Sequence, residues 1–338
     1  MEKTKIFFEN YIGETALDFF SLAQSGSSRM NFVGKSSQQN YIITYNVNIA
    51  ENESFLYFSQ VFTDLQLNTP KIFSISDDRK TYVQEFLGEN TLSDMIEKEG
   101  LSEKVKSLVK ETLQKLFDLQ QKTEHQIDYS KTFEYEKYDE LPISNDLFYF
   151  KNFIVDVLEL PYHKSSLLKE FKKIVSKIES LEPKGLMIRD FQARNIMVNK
   201  EHKVSFIDYQ SAMKGPLMYD VVSFLFQAKA NFPDDFKNEM LEFYWSLWED
   251  PKLKSVLKNS LEPIKLIRFL QVLGAYGFRG LIQRKKHFLA SLDLGIENLF
   301  QFSTSWEEMA NYPELKKIIS ELKSVEVKSK ITKMIGNH

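Results

Sequence analysis

The stretch Ile188-Arg189-Asp190-Phe191-Gln192-Ala193-Arg194-Asn195, with Ile207-Asp208-Tyr209-Gln210 a short hairpin later, decides how the rest of the chain is read. Residues 195–198 and 204–207 are short strand-like runs, and the polar residues 199–202 between them have the composition of a tight turn. A turn centred between Glu201 and His202 would set Asn195 opposite Asp208, because directly opposed residues in a hairpin lie equally far from its centre. Their side-chain oxygens could then share one cation. Asp190, in the loop entering the hairpin, would face whatever that cation holds.

These residue types match the needs of phosphoryl transfer. That reaction requires a metal to neutralise phosphate charge and a carboxylate to orient and deprotonate the attacking hydroxyl, with little covalent work left to the protein. An Asp and an Asn offer hard oxygens suited to Mg²⁺ without filling its octahedron, so phosphate oxygens and waters can take the other positions. Asp208 and Asn195 are therefore read as metal ligands and Asp190 as the base. A D-x-x-x-x-N string carries little information alone; the hairpin and the apolar residues before Asp208 supply its context.

The remaining composition narrows the alternatives. A chain of 338 residues can build two lobes, each with its own core. A formal net charge of −3 gives no basic footprint for nucleic acid. With no Cys, disulfides and thiolate zinc sites are excluded. Met1-Glu-Lys-Thr-Lys-Ile-Phe-Phe8 is followed at once by Glu9 and Asn10, which is not a leader pattern, and no apolar run is long enough to span a bilayer. The expectation is a cytoplasmic protein with a small-molecule partner, no nucleic acid and no membrane. The 28 Phe and 15 Tyr are mostly core material.

The first part of the chain reads as strands with one helix. Residues 30–33 and 41–45 are strand-like around a turn at 34–40, and 71–75 and 81–86 are strand-like around a turn at 77–79. Phe55, Phe58, Phe62 and Leu65 recur at spacings of three and four, which predicts a helix over 52–65. Gly88 marks a joint. Helical patterns dominate afterwards, over 103–121, 165–181, the segment after Pro233, and 261–273. The expected architecture is α+β and bilobal, with a small β-rich N-lobe over 1–87 and a large, mainly helical C-lobe over 88–338 that carries the catalytic hairpin.

Six segments together resemble the aminoglycoside phosphotransferase and protein-kinase-like superfamily, and within it the bacterial cell-wall amino-sugar anomeric kinases. They are Ser25-Gly-Ser-Ser-Arg29, Asp146-Leu-Phe-Tyr-Phe150, Arg189 through Val198, Ile207-Asp-Tyr-Gln210, Gly215 through Leu225 and Phe269-Leu-Gln-Val-Leu-Gly274, in the family's order over about residues 22–300. The resemblance implies a protein-kinase-like fold, ATP and Mg²⁺ as cofactors, and N-acetylmuramate or N-acetylglucosamine as acceptor in cell-wall recycling. It also implies Asp190 as base, Asn195 and Asp208 as metal ligands, and Asp220 as a structural acid bracing the catalytic loop. Glu85 and Leu87 would bind adenine through their backbone, and Ser25, Gly26, Ser27 and Ser28 would form a phosphate loop beside Arg29. Asp146 and Arg279 are candidates for the acceptor site, although Asp146 also suits a helix with a core-facing aromatic stripe.

Two departures stand out. Ile188 takes the place of the family's His before the Arg-Asp pair. The strand Tyr41-Ile-Ile-Thr-Tyr-Asn46 has no phosphate-binding Lys, which leaves Arg29 and Lys35 as substitutes. Glu53, the usual partner of that Lys, then reads as an exposed acid at a helix start. Two other functions remain open: transfer to another small alcohol such as an aminoglycoside, choline or a different sugar, and a pseudokinase that binds nucleotide without turnover.

Overall fold

A computed structural model describes residues 1–23 and 29–336. The chain divides into two compact units, one made of Met1–Glu136 with Gly185–Lys214 and the other of Lys137–Lys184 with Gly215–His338. The hairpin of residues 195–207 is therefore grouped with the N-terminal sheet, whereas a break at Gly88 would place it with the C-terminal helices.

The first unit opens with helix α1 (Glu2–Ile12) and continues through strands β1 (Asp18–Ser21), β2 (Met30–Lys35) and β3 (Asn40–Tyr45), helix α2 (Ile49–Asp64), and strands β4 (Ile72–Ile75) and β5 (Thr81–Glu85). The five strands form an antiparallel sheet in the order β1-β2-β3-β5-β4. Successive side chains along a strand point to opposite faces. Val83 joins Phe8 of α1, Phe32, Tyr41 and Ile43 in one buried cluster, and its neighbour Tyr82 stacks on Phe55 of α2 with ring centroids 5.3 Å apart. The two helices thus cover opposite faces of the sheet. The apolar stripe foreseen on α2 is the buried one, with Phe55, Phe58 and Phe62 in the core, and Asn48 caps its start by accepting from Glu51 N–H at 3.3 Å.

Helix α1 and its partner Gly34 correct the sequence reading, which saw no helix before residue 52 and placed Gly34 in a turn. Gly34 lies inside β2 opposite Tyr41, and the turn is confined to residues 36–39, closed by Ser36 N–H donating to Gln39 O at 3.0 Å. A Cβ on Gly34 would stand 2.4 Å from Cε1 of Phe8. Only glycine lets α1 lie this close to the sheet.

After β6 (Asn90–Thr91), helices α3 (Leu92–Glu99) and α4 (Glu103–Lys122) follow, α3 entered through a reciprocal capping box between Thr91 and Asp94. Gly88, at φ +128°, would place a Cβ 3.1 Å from Val198 O, so the expected joint is also a close approach to the hairpin. Strands β7 (Lys184–Met187) and β10 (Met213–Pro216) form a two-stranded sheet; β8 (Ile196–Val198) lies between β6 and β9 (Val204–Phe206) in a three-stranded one.

The second unit contains α5 (Glu140–Phe150), α6 (Lys164–Glu179), α7 (Met218–Leu225), α8 (Asp234–Ser246), α9 (Pro251–Tyr276), α10 (Lys286–Ser305), α11 (Pro313–Glu321) and α12 (Val325–Gly336). Helices α5, α7 and α10 pack on α9, whose Ile264, Ile267, Leu270 and Leu273 are buried. Helix α9 starts ten residues before the expected 261, at Pro251 behind the cap Asp250, and carries Pro263 in its interior. Burial of this long apolar face outweighs the hydrogen bond that proline removes. The buried carboxylate of Glu170 accepts from the N–H groups of Glu314 at 2.9 Å and Leu315 at 2.8 Å, tying α6 to the start of α11. Among the described residues no helix is long and apolar enough to cross a membrane.

The contact at Gly34 gives a direct test of the α1 packing. Gly34→Val should lower stability by about 1–3 kcal/mol through overpacking, read as a fall in the midpoint of urea unfolding. An unchanged midpoint would mean that α1 does not rest on the sheet as described.

Candidate functional site

Asp190, Asn195 and Asp208 are brought together within the first unit, by a route other than the expected one. The hairpin pairs Ile196 with Phe206 and Val198 with Val204, so it is centred on Glu201 and sets Asn195 against Ile207, whose N–H donates to Asn195 O at 3.0 Å. The expected register was one residue off, which in a regular strand would send Asp208 to the far face. Asp208 instead leaves the strand at φ +66°. This left-handed turn brings its side chain back toward Asn195, whose Nδ2 donates to Asp208 Oδ2 at 3.2 Å and to Asp190 O at 2.8 Å. Because the amide nitrogen faces the loop, the amide oxygen is the atom left for a cation.

The loop of residues 188–194 is held by the same kind of backbone turn. Arg189, at φ +74°, is a second non-glycine residue in the left-handed region, and Asp190 N–H donates to Ile188 O at 3.0 Å. Ile188, which replaces the expected His, is buried, and Phe191 packs edge-on against Phe206 with centroids 4.8 Å apart. The loop is therefore anchored by apolar packing. Such strained backbone persists where surrounding contacts over-determine it, commonly at functional sites. Asp190 itself remains half-buried.

Arg29 completes the cluster. Its Nη2 donates to Asp208 Oδ1, its Nη1 donates to Gln210 Oε1 at 3.1 Å, and its Nε lies 3.3 Å from Glu51 Oε1. The Arg29 and Glu51 side chains are only 12% and 13% exposed. Gln210 in turn donates from Nε2 to Asp208 Oδ1 at 3.1 Å. The segment after β9 is fixed to α2, since Ser54 donates to Gln210 O at 2.8 Å, the Ser59 and Tyr209 hydroxyls are 2.8 Å apart, and Tyr209 stacks on Phe55 at 4.8 Å.

Electrostatics follow from this packing. Burial disfavours the Asp208 charge, but the charge of Arg29 and the hydrogen bonds from Gln210 and Arg29 outweigh it and hold the carboxyl below its ordinary range. For Arg29, burial is likewise offset by the charges of Asp208 and Glu51, which keep the guanidinium charged. Burial pushes the neighbouring Tyr82 phenol up to about 12, so it stays neutral beside this cluster.

The other sequence-derived candidates divide sharply. Lys35, one of the two cations considered, pairs with Asp18 at 3.3 Å on the exposed edge of the sheet. Glu53 binds Arg79 in a bidentate pair at 2.5 and 2.7 Å, half exposed as expected. Glu51 and Gln210 were missed as functional candidates. Gln210 lies inside the quoted stretch, and Glu51 carries a signal in its placement three residues after the cap Asn48. Glu85 ends β5 with its N–H donating to Lys71 O at 2.9 Å, and Leu87 follows it; Ser25, Gly26, Ser27 and Ser28 lie outside the described residues. In the second unit Asp146 is buried and accepts from Tyr138 Oη at 2.7 Å. Arg279, on a π-helical continuation of α9, lies 5.5 Å from the Phe288 ring centroid. Asp220 is fully buried in the first turn of α7.

Comparison with known proteins defines the class. The model of the Phosphotransferase enzyme family (APH) matches residues 47–255, and the chain belongs to this family. An N-acetylmuramate/N-acetylglucosamine kinase of Neisseria meningitidis serogroup B is 25% identical over 183 residues, 53% of this chain and 52% of the relative, so the match spans about half the relative's length. Among solved structures, a thermostable mutant of the aminoglycoside phosphotransferase APH(4)-Ia superposes with a TM-score of 0.60 at 15% identity, covering 89% of this chain and 98% of that one. The choline kinase LicA from Streptococcus pneumoniae gives 0.59 at 14% identity, covering 89% and 100%. The fold is thus kinase-like, as expected.

The Asp208 environment has a pH signature. Its folded pKa lies below the unfolded value of about 3.9, so its contribution to stability is complete above that pH and is lost as pH falls through the folded value. Asp208→Asn should cost about 1–3 kcal/mol at pH 7, with the gap from wild type narrowing below about pH 4 in urea titrations followed by circular dichroism. A gap that stays constant into acid would show that Arg29 does not stabilise the carboxylate.

Proposed function

We propose that this chain transfers the γ-phosphoryl group of ATP to a hydroxyl of a small molecule, most simply the anomeric hydroxyl of N-acetylmuramate or N-acetylglucosamine, in the cytoplasm and as part of cell-wall recycling. The observation that carries the reading is the convergence of Asp190, Asn195 and Asp208 on one loop and hairpin. Membership of the phosphotransferase family and the amino-sugar kinase relative support it further.

In this reading Asp190 accepts the proton of the acceptor hydroxyl, and its half-exposed position suits a group that must meet a substrate. Asp208 and the amide oxygen of Asn195 would hold Mg²⁺, and their hard oxygens fit that ion. When bound, the metal supplies positive charge for the phosphate oxygens during transfer. Arg29 supplies the fixed protein cation that β3 lacks. Backbone groups of Glu85 and Leu87 take adenine and residues 25–28 the phosphates, while Asp220 serves as a structural acid. Asp146 and Arg279 are the proposed acceptor contacts, in a chain read as a nucleotide-binding N-lobe over 1–87 and a C-lobe over 88–338 that carries the catalytic loop and the acceptor site.

The test is an ADP-release assay with Mg·ATP against N-acetylmuramate, N-acetylglucosamine, N-acetylgalactosamine, glucose, choline and kanamycin, with ³¹P NMR of any product. An anomeric phosphate is expected; release only with choline or kanamycin would replace the acceptor. Asp190→Asn should lower turnover by about 10²–10⁴-fold with Mg·ATP binding nearly unchanged, whereas Asp208→Ala should impair both. Undiminished turnover by Asp190→Asn would remove it as the base.

A further inference from the structure

Arg29 binds the same carboxylate that the preceding reading gives to the metal. We propose, on that reading, that Arg29 and a divalent cation compete for Asp208, and that the phosphates of an arriving nucleotide draw the guanidinium away while Glu51 keeps hold of it.

Asp208 is engaged at both oxygens. Oδ1 accepts from Arg29 Nη2 and from Gln210 Nε2 at 3.1 Å, and Oδ2 accepts from Asn195 Nδ2 at 3.2 Å. A divalent cation on this carboxylate would stand about 4 Å from a buried guanidinium, where like charges repel strongly because little solvent intervenes. The two cations therefore compete for the carboxylate.

Arg29 also has a second anchor on the opposite side. Its Nη edge faces the hairpin through Asp208 and Gln210, and its Nε edge faces Glu51 of α2 at 3.3 Å, an ion pair in which Nε makes no hydrogen bond. The fixed fork of a guanidinium allows one edge to change partners while the other stays paired. Release from Asp208 thus does not leave an uncompensated buried charge, and a polyphosphate offers the freed edge a bidentate acceptor. Metal and nucleotide binding become coupled by linkage: each frees the group the other needs, so each binds better in the presence of the other.

The experiment uses Mn²⁺ as a paramagnetic probe titrated into the full chain without nucleotide, and ADP binding by calorimetry in metal-free buffer. Arg29→Gln should bind Mn²⁺ about tenfold more tightly than wild type and bind ADP without metal about tenfold more weakly. These opposed changes separate the proposal from mere loss of structure, which would weaken both. The gain in Mn²⁺ affinity should vanish in the double variant Arg29→Gln, Asp208→Asn. Arg29→Lys, with a single point charge in place of the fork, should fold where the Gln variant does not and should likewise bind Mn²⁺ more tightly than wild type. Mn²⁺ affinity equal to or below wild type in the folded Arg29 variants would overturn the competition. If wild type binds no ADP with or without metal, the nucleotide reading fails, and the Mn²⁺ titrations still decide whether Arg29 blocks Asp208.

Discussion

The charge of Arg29 is the constraint to which the architecture of the first unit answers. A guanidinium that is 12% exposed must find opposite charge and acceptors or destabilise the fold, because burying an unpaired ion costs several kcal/mol. Its partners come from separate parts of the sequence: Glu51 from the first turn of α2, and Asp208 and Gln210 from the segment after β9. Satisfying Arg29 fixes β2, α2 and the hairpin exit in one arrangement. The stacked Phe55, Tyr82 and Tyr209 rings do the apolar part of the same task, and the Ser54 and Ser59 hydroxyls close the remaining backbone and phenol positions.

Asp208 shows how a side chain's reach can be set by one backbone angle. Strand alternation places Asn195 and Ile207 opposite one another, and continued alternation would turn Asp208 away. A φ of +66° reverses that outcome. Such a conformation is uncommon for a residue with a Cβ, and Asp tolerates it better than most because its short polar side chain can bond locally. Here the bonds from Asn195, Gln210 and Arg29 supply the compensation, so the conformation that creates the cluster is stabilised by the cluster.

What could be read from sequence was what local patterns encode. The hairpin, the sheet strands and the α2 stripe are set by periodicities of two and 3.6, and each was legible in a window of a few residues. Glu51 was not, because its role depends on helix phase. Two residues along a helix turn the direction by about 200°, so Glu51 and Glu53 face different surroundings, one paired with Arg29 and the other with Arg79. The α1 helix escaped notice because its buried residues are few, Thr4 and Phe8 among them, and because the glycine it rests on also looks like a turn residue. The interior proline hid the first half of α9 for a similar reason: a local rule was overridden by burial at a distance.

In the proposed reading Arg29, just before β2, does the work of a β3 lysine, and β3 carries a neutral residue in the row nearest to it. Thr44 is buried opposite Tyr82 in the α2-facing row of β3. Its hydroxyl donates to Asn31 Oδ1 at 2.7 Å and accepts from Gln84 Nε2 at 2.9 Å. A lysine in this row would add a second buried cation near Arg29, whose own partners Glu51 and Asp208 would then be shared, and it would break both hydroxyl bonds. The short neutral Thr44 and the long forked Arg29 are therefore two halves of one solution. It differs from a strand lysine in consequence as well as in position, because a guanidinium can bridge two acids at once and an ammonium on a flexible stem holds one direction less firmly. The bridge ties the helix acid to the hairpin acid directly, so the geometry of α2 and the availability of Asp208 are set by the same side chain.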